Sequence, residues 1–148
     1  MRPVIEKLIQ KKKFRQDSDI IDFFISLGAA VTTENYDVIG KCWALPSYVL
    51  SDHATRTLAS SDDLEKYFSE IKRSFKTEGV ASVRPEVLGQ QWLTDQILIV
   101  TLRWSQLDSN NHEIGEETAL YNLKADTNGK LKIHVLTQGL NKPFNMYF

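Results

Sequence analysis

Two adjacent residues in the middle of the chain, Asp52 and His53, carry side chains that can accept and release protons. A carboxylate beside an imidazole can act as a general base together with the group that orients it. Neighbouring residues on a strand point to opposite faces, so the pair can serve one site only if the backbone bends there. The sequence therefore leaves two interpretations open: a catalytic base, or a polar pair in a turn.

Five aromatic residues form the second candidate set, and they are Trp43, Tyr48, Tyr67, Trp104 and Tyr121. Such side chains line pockets for flat or apolar ligands, although they also fill ordinary cores. Tyr67 and Tyr121 are the most informative of the five, because a buried phenol must find a hydrogen-bond partner. The set predicts an aromatic ligand pocket, with core packing as the alternative.

Other kinds of site are not expected from the remaining residues. The three histidines are scattered, and with the lone Cys42 they give no metal-ligand spacing, so no metal is expected. The chain has neither a glycine-rich phosphate loop nor a nucleophile elbow. We therefore expect no cofactor, no nucleotide-dependent chemistry and no hydrolysis through an elbow nucleophile.

The composition is that of an ordinary globular domain. The chain has 148 residues, of which 42% are hydrophobic and 25% are charged, and this suits one folded domain. Its net charge of -1 provides no general attraction for nucleic acid. No apolar run approaches the roughly 20 residues that span a bilayer, and the first residues do not resemble a secretory signal. Because Cys42 has no partner for an internal disulfide, we expect a soluble cytoplasmic protein.

The charge and aromatic patterns divide the chain into three segments. Residues 1–16 form a basic N-terminal arm, residues 17–140 form the folded domain, and residues 141–148 form an aromatic C-terminal tail. The few charges of the arm would neutralise few phosphates, so we interpret it as a solvated lead-in. The three aromatic residues of the tail predict that it packs on a surface.

Apolar spacing predicts three helices followed by strands. The first helix begins near Asp19, a short one covers residues 36–43, and the third begins at a capping box around Ser60 and Asp63 and ends at Gly79. Alternating patterns and turn residues predict strands over 47–52, 55–59, 80–92, 95–107, 116–125 and 131–138. Bends or bulges are expected at Pro85 and Gly89.

This order of elements resembles the nuclear-transport-factor-2-like superfamily, including its SnoaL-like members. Two local patterns support the resemblance: Asn35-Tyr36-Asp37 after the first helix, and Cys42-Trp43-Ala44-Leu45-Pro46 before the first strand. The resemblance implies an α+β cone, in which about three N-terminal helices pack in the concave face of a strongly curved, mainly antiparallel sheet around a central pocket. It also implies dimerisation through the outer sheet face, and a family range that includes isomerases, cyclases, dehydratases and proteins without known activity.

Strand alternation assigns side chains to the two faces of this sheet. The expected inward set is Leu98, Val100, Leu102, Trp104, Ala119, Tyr121, Leu123, Leu131, Ile133 and Val135. The expected outward set is Ile97, Ile99, Thr101, Arg103, Ser105, Thr118, Leu120, Asn122, His134 and Leu136. The outward mixture suits a dimer surface. The inward set is almost entirely apolar, so the predicted pocket has hardly any ionisable lining.

Three functional hypotheses follow from this distribution. The first is a small-molecule-binding or accessory domain that takes a small apolar or aromatic ligand and forms a homodimer. The second is a cofactor-independent isomerase, cyclase or dehydratase, with Asp52 or His53 as the base and Tyr121 or Tyr67 stabilising an enolate. The third is a protein-interaction module that docks through the sheet face or the aromatic tail.

Overall fold

The computed structural model describes residues 17–140, so the predicted basic arm and aromatic tail lie outside the described residues. The helices are α1 (Asp17–Thr32), α2 (Tyr36–Cys42) and α3 (Ser61–Glu78). The strands are β1 (Trp43–Leu50), β2 (Thr55–Leu58), β3 (Ser82–Trp92), β4 (Ile97–Leu107), β5 (Glu113–Ala125) and β6 (Leu131–Thr137). The order of helices and strands is the one predicted from the sequence.

The six strands form one curved, open sheet in the order β2-β1-β6-β5-β4-β3. Every neighbouring pair is antiparallel except β1 and β6, which run parallel. Helix α1 packs on β3, and α2 and α3 contact α1 and the β1–β2 end of the sheet. This architecture confirms the predicted α+β fold with a mainly antiparallel sheet.

Helix α3 is bounded by the signals that its sequence predicts. The Ser60 side chain accepts a hydrogen bond from the backbone N–H of Asp63, and the Asp63 carboxylate accepts one from the N–H of Ala59. The first bond satisfies a donor that the first turn of a helix leaves unpaired, and the second ties the residue before the N-cap to that turn. At the other end Gly79 adopts a φ of 78°, the left-handed conformation that glycine enters without steric cost.

Strand β1 begins earlier than predicted. The expected second helix included Trp43, but α2 ends at Cys42 and Trp43 adopts extended backbone angles. Trp43 pairs with Ile133 of β6, and its indole ring packs against Phe68 of α3. The strand then continues through Pro46, whose peptide bond with Leu45 is cis. Pairing with a distant strand therefore outweighs the local helical pattern at Trp43.

Two irregularities of the ladder decide which side chains face inward. A register shift in β3 between Val87 and Gly89 confirms the bulge predicted at Gly89. A second shift lies between β5 and β6, where the adjacent residues Asn122 and Leu123 pair with Val135 and Ile133. Strand β6 therefore has one extra residue there, and the inward and outward positions are exchanged beyond it.

The predicted faces of two β6 residues are wrong for this reason. Leu136, expected to face outward, pairs with inward-facing Tyr121. Val135, expected to face inward, pairs with outward-facing Asn122.

The core lies between the helices and the concave face of the sheet. Buried side chains of β4 and β5 form it together with Ile20, Phe24 and Leu27 of α1. On the outer face Arg103 forms ion pairs with Glu86, Glu113 and Glu116. Among residues 17–140, no helix combines the length and apolar character needed to cross a membrane.

Candidate functional site

An inner cavity of about 80 Å³ lies between α1, α3 and the concave face of the sheet. Four of the five aromatic residues singled out in the sequence line it, namely Trp43, Tyr67, Trp104 and Tyr121. Gly28 of α1 forms part of the same wall, where a side chain would collide with the Trp104 ring. The inner cavity is therefore narrow, aromatic and largely apolar.

An outer cavity of about 390 Å³ opens beside the β1–β2 turn. Gln106, Glu117 and Gln138 line both cavities, so the two spaces meet at these three side chains. The outer volume falls within the range of roughly 300–1,000 Å³ that is typical of small-molecule pockets. Together the two cavities form one cleft, with an apolar inner end and a polar mouth.

Tyr121 is held in the inner cavity by the Trp104 indole. The Trp104 Nε1–H donates to the Tyr121 hydroxyl oxygen at 2.8 Å, and the Tyr121 ring packs 4.9 Å from that of Phe24. Because an indole nitrogen only donates, the Tyr121 O–H hydrogen remains available for another acceptor. Burial raises the pKa of Tyr121, and the nearby charge of Glu117 adds to the rise.

Tyr67 stands at the junction of the two cavities. Its hydroxyl oxygen lies 2.8 Å from Nε2 of Gln138, which donates to it, and the Arg56 guanidinium lies 5.0 Å from its ring centre. Burial raises the pKa of Tyr67, and the Glu117 charge contributes in the same direction. Arg56 is itself paired with Glu70 at 2.8 Å.

Among residues 17–140, Glu117 is the one carboxylate that lines both cavities. It lies on β5 opposite Trp104 and is half-buried. Burial raises the pKa of Glu117 above its usual value. Within residues 17–140, no hydrogen bond or cation satisfies its carboxylate.

Glu117 was not identified as a candidate from the sequence, although a signal for it exists. It precedes Ala119 by two positions, and Ala119 and Tyr121 were correctly placed on the inward face. Extending the same alternation by one step would have assigned a carboxylate to the pocket. The pocket was predicted to have hardly any ionisable lining, and Glu117 is the carboxylate that this prediction did not single out.

Asp52 and His53 lie in the turn between β1 and β2, and both side chains are exposed. The turn is closed by Ser51, whose backbone N–H donates to the carbonyl of Ala54 at 2.9 Å. This bend lets both residues line the outer cavity, whose lining also includes Glu117. A catalytic role for Asp52 or His53 stays a prediction, since their position is at the rim.

A family profile described as NTF2-like protein (DUF6841) matches residues 18–140. The match covers nearly all of the residues that the structure describes. The chain belongs to this NTF2-like family. This membership confirms the resemblance drawn from the element order and the local patterns at residues 35–37 and 42–46.

Solved structures of the same fold agree with the family. A domain of unknown function with a cystatin-like fold from Nostoc punctiforme has a TM-score of 0.62 and 13% identity, over 82% of this chain and 75% of that one. An NTF-2 like protein of unknown function from Shewanella oneidensis has a TM-score of 0.61 and 11% identity, over 82% of this chain and 96% of that one. A candidate ketosteroid isomerase from Shewanella frigidimarina has a TM-score of 0.58 and 11% identity, over 80% of this chain and 92% of that one. None of the curated proteins matches the chain significantly.

Within this NTF2-like fold, Tyr48 does not join the other predicted pocket residues. Val49 and Ser47 are buried, whereas Tyr48 between them is 42% exposed and lines neither cavity. Alternation along β1 places Tyr48 on the outer face of the sheet, beside Val135. Its inclusion in the predicted pocket is therefore wrong.

The polar groups of the cleft suit hydrogen bonding and proton transfer. Trp43 Nε1 is buried without a hydrogen-bond partner among residues 17–140, and Tyr67 and Tyr121 supply hydroxyl groups. Glu117 supplies an acceptor that can also take up a proton. No group of three or more His, Cys, Asp or Glu side chains in the described residues is arranged to hold a metal ion.

Proposed function

We propose that this NTF2-like domain binds a small molecule in the cleft formed by its two cavities. The observation that supports binding best is the shared wall of Gln106, Glu117 and Gln138, which joins an apolar space to a polar one. An amphipathic ligand could place a short apolar group in the inner cavity. Its polar portion would then meet Glu117 and the amide groups at the mouth.

The inner cavity alone is too small for a whole ligand. Its volume of about 80 Å³ holds a few waters or a small apolar group. The outer cavity supplies the remaining space, and its residues provide polar contacts that an apolar chamber lacks. Binding therefore depends on both cavities being accessible together.

A fragment titration followed by NMR shifts of the backbone amides tests this proposal. Binding fragments should perturb residues around Gln106, Glu117 and Gln138. Gln106→Phe places a larger side chain where the two cavities meet, and it should weaken these perturbations. Gln91→Phe is the matched control, because Gln91 pairs with outward-facing Ile99 on the other side of the sheet. If perturbations cluster on the outer face, or if both variants behave alike, the cleft is not the binding site.

A second candidate function is proton transfer at carbon by Glu117. Its raised pKa brings the carboxylate closer to the range that suits a general base. Glu117 would remove a proton from a carbon next to a carbonyl, becoming a neutral acid, while the Tyr121 or Tyr67 hydroxyl donates to the enolate oxygen. Returning the proton to a different carbon completes an isomerisation. In this scheme Glu117 replaces Asp52 or His53 as the base.

Turnover of a small cyclic β,γ-unsaturated ketone to its conjugated isomer would test this second candidate. The likeness to a candidate ketosteroid isomerase concerns the fold, and it motivates the choice of probe. Conjugation is followed by ultraviolet absorbance. Glu117→Gln should abolish turnover, whereas Asp52→Asn should retain most of it. Equal activity in wild type and Glu117→Gln would exclude Glu117 as the base.

A further inference from the structure

The charge of the cleft indicates which ligands it favours. The acidic side chains that line the outer cavity are Asp52, Glu116 and Glu117, and no Lys or Arg from residues 17–140 lines either cavity. Arg103 pairs with Glu116, so no ion pair within residues 17–140 balances the charges of Asp52 and Glu117. A cleft lined by one sign of charge concentrates ligands of the opposite sign.

Glu117 is the acidic group that a cationic ligand would contact where the two cavities meet. Its carboxylate is half-buried where the two cavities meet, and nothing within residues 17–140 neutralises it. The Arg56 guanidinium, which lies over the Tyr67 ring, is held by Glu70, and Arg56 lines neither cavity. A half-buried carboxylate without a cation is costly, and a positively charged ligand would remove that cost.

The walls around Glu117 suit an organic cation better than a metal ion. The rings of Tyr67, Trp104 and Tyr121 line the inner cavity, and aromatic faces attract ammonium groups. A hard metal ion would instead need several oxygen or nitrogen ligands around it. No such set of acidic, histidine or cysteine side chains occurs in the described part of the chain.

We infer that the cleft selects small organic ammonium compounds, with the charged nitrogen against Glu117 and a short apolar substituent in the inner cavity. This inference rests on the proposed binding function, because it specifies the ligand class for the same cleft. The ammonium N–H groups would donate to the Glu117 carboxylate. The apolar substituent would contact the aromatic walls, which explains why the polar mouth and the apolar chamber adjoin.

Three probes of similar size separate charge from shape. Benzylammonium is the cation, benzyl alcohol is its neutral counterpart and benzoate is the anion. Their affinities for the full chain are measured by NMR titration at neutral pH. We expect benzylammonium to bind about tenfold to hundredfold more tightly than benzyl alcohol, the usual effect of a charged hydrogen bond. Benzoate should bind most weakly.

Two variants locate the source of this preference. Glu117→Gln keeps the shape of the side chain and should remove most of the difference between cation and alcohol. Glu113→Gln is the matched control, because Glu113 lies on the same strand, is paired with Arg103 and lines neither cavity, so this variant should retain the preference. A preference that survives Glu117→Gln, or equal affinities for cation and alcohol, would overturn the inference.

The same measurements distinguish failure of the inference from failure of the proposed function. If cation and alcohol bind the cleft equally and Gln106→Phe blocks both, binding stands and only the ammonium preference is wrong. If none of the three probes perturbs residues of the cleft at saturating concentration, both the binding function and the ammonium preference are wrong.

Discussion

Glu117 differs from the other acids of the cleft because it is half-buried and has no cationic partner among the described residues. Burial penalises the ionised carboxylate and raises its pKa above the usual value of 4.5. A carboxyl whose pKa is raised by folding favours the folded state in acid. This contribution is lost as the pH rises through the raised pKa, because the folded protein must then hold a poorly solvated charge.

We predict that Glu117→Gln becomes more stable relative to wild type as the pH rises. Glutamine is never ionised, so the difference in free energy of unfolding should grow from about pH 4 upward and then level off above the raised pKa. Urea unfolding at several pH values measures this difference. Glu116→Gln breaks an exposed pair with Arg103 and should show no such gain. A pH-independent difference for Glu117→Gln would contradict the burial argument.

The hydrogen bond between Trp104 and Tyr121 should be measurable as a coupling energy. Tyr121→Phe leaves the Trp104 indole N–H without its acceptor and should cost about 1–2 kcal/mol. In the Trp104→Phe background, Tyr121→Phe should lower the free energy of unfolding by less, because the indole donor is already absent. A double-mutant cycle by urea unfolding should give a coupling of about 1 kcal/mol. Strictly additive effects would show that the bond contributes little.

At the scale of elements, Gly28 sets the distance between α1 and the sheet. A Cβ at this position would lie 2.8 Å from Cζ3 of Trp104 and 3.0 Å from Cγ2 of Val83. We predict that Gly28→Ala costs about 1–3 kcal/mol and displaces the Trp104 ring into the inner cavity. The ring displacement should also weaken probe binding in the cleft.

Gly40 of α2 provides the matched control for Gly28. A Cβ there meets nothing within 4 Å, so Gly40→Ala should be neutral or stabilise the helix by about 0.5–1 kcal/mol. Thermal and urea unfolding compare the two variants. If Gly28→Ala is tolerated as well as Gly40→Ala, the close packing at Trp104 does not shape the cavity.

Elements with local signals were predictable from the sequence, and those that depend on distant pairing were not. Helix α3 was bounded correctly because Ser60 and Gly79 act through neighbouring residues. The start of β1 at Trp43 depends on pairing with β6, and the inward position of Leu136 depends on an extra residue in β6. No neighbouring residues indicate the start of β1 or the position of Leu136. The inward position of Glu117, in contrast, could have been predicted from the alternation along β5.

At the scale of the whole molecule, the outer sheet face is the surface that we propose for a homodimer. The ladder aligns Tyr48, Val135, Asn122 and Ile99 across four neighbouring strands on this face. Ile99 is already buried within one chain, so the proposed contact centres on the exposed aromatic ring of Tyr48. Apolar and aromatic groups of this kind are common at the centre of protein interfaces.

Light scattering should therefore give twice the chain mass of 17.0 kDa. Tyr48→Lys should shift the protein toward the monomer, because it places a charge in the contact. Ile25→Lys is the control, since Ile25 is 51% exposed but lies on α1 rather than on the sheet. A mass of one chain at all concentrations would contradict the proposed dimer.

A crystal structure of the protein with benzylammonium bound tests the ligand-binding cleft most directly. The account predicts electron density for the aromatic ring in the inner cavity, near Trp104 and Tyr121, and for the nitrogen within hydrogen-bond distance of Glu117. Electron density for benzylammonium only outside the cleft, or no density for it in the cleft at saturating concentration, would contradict the account.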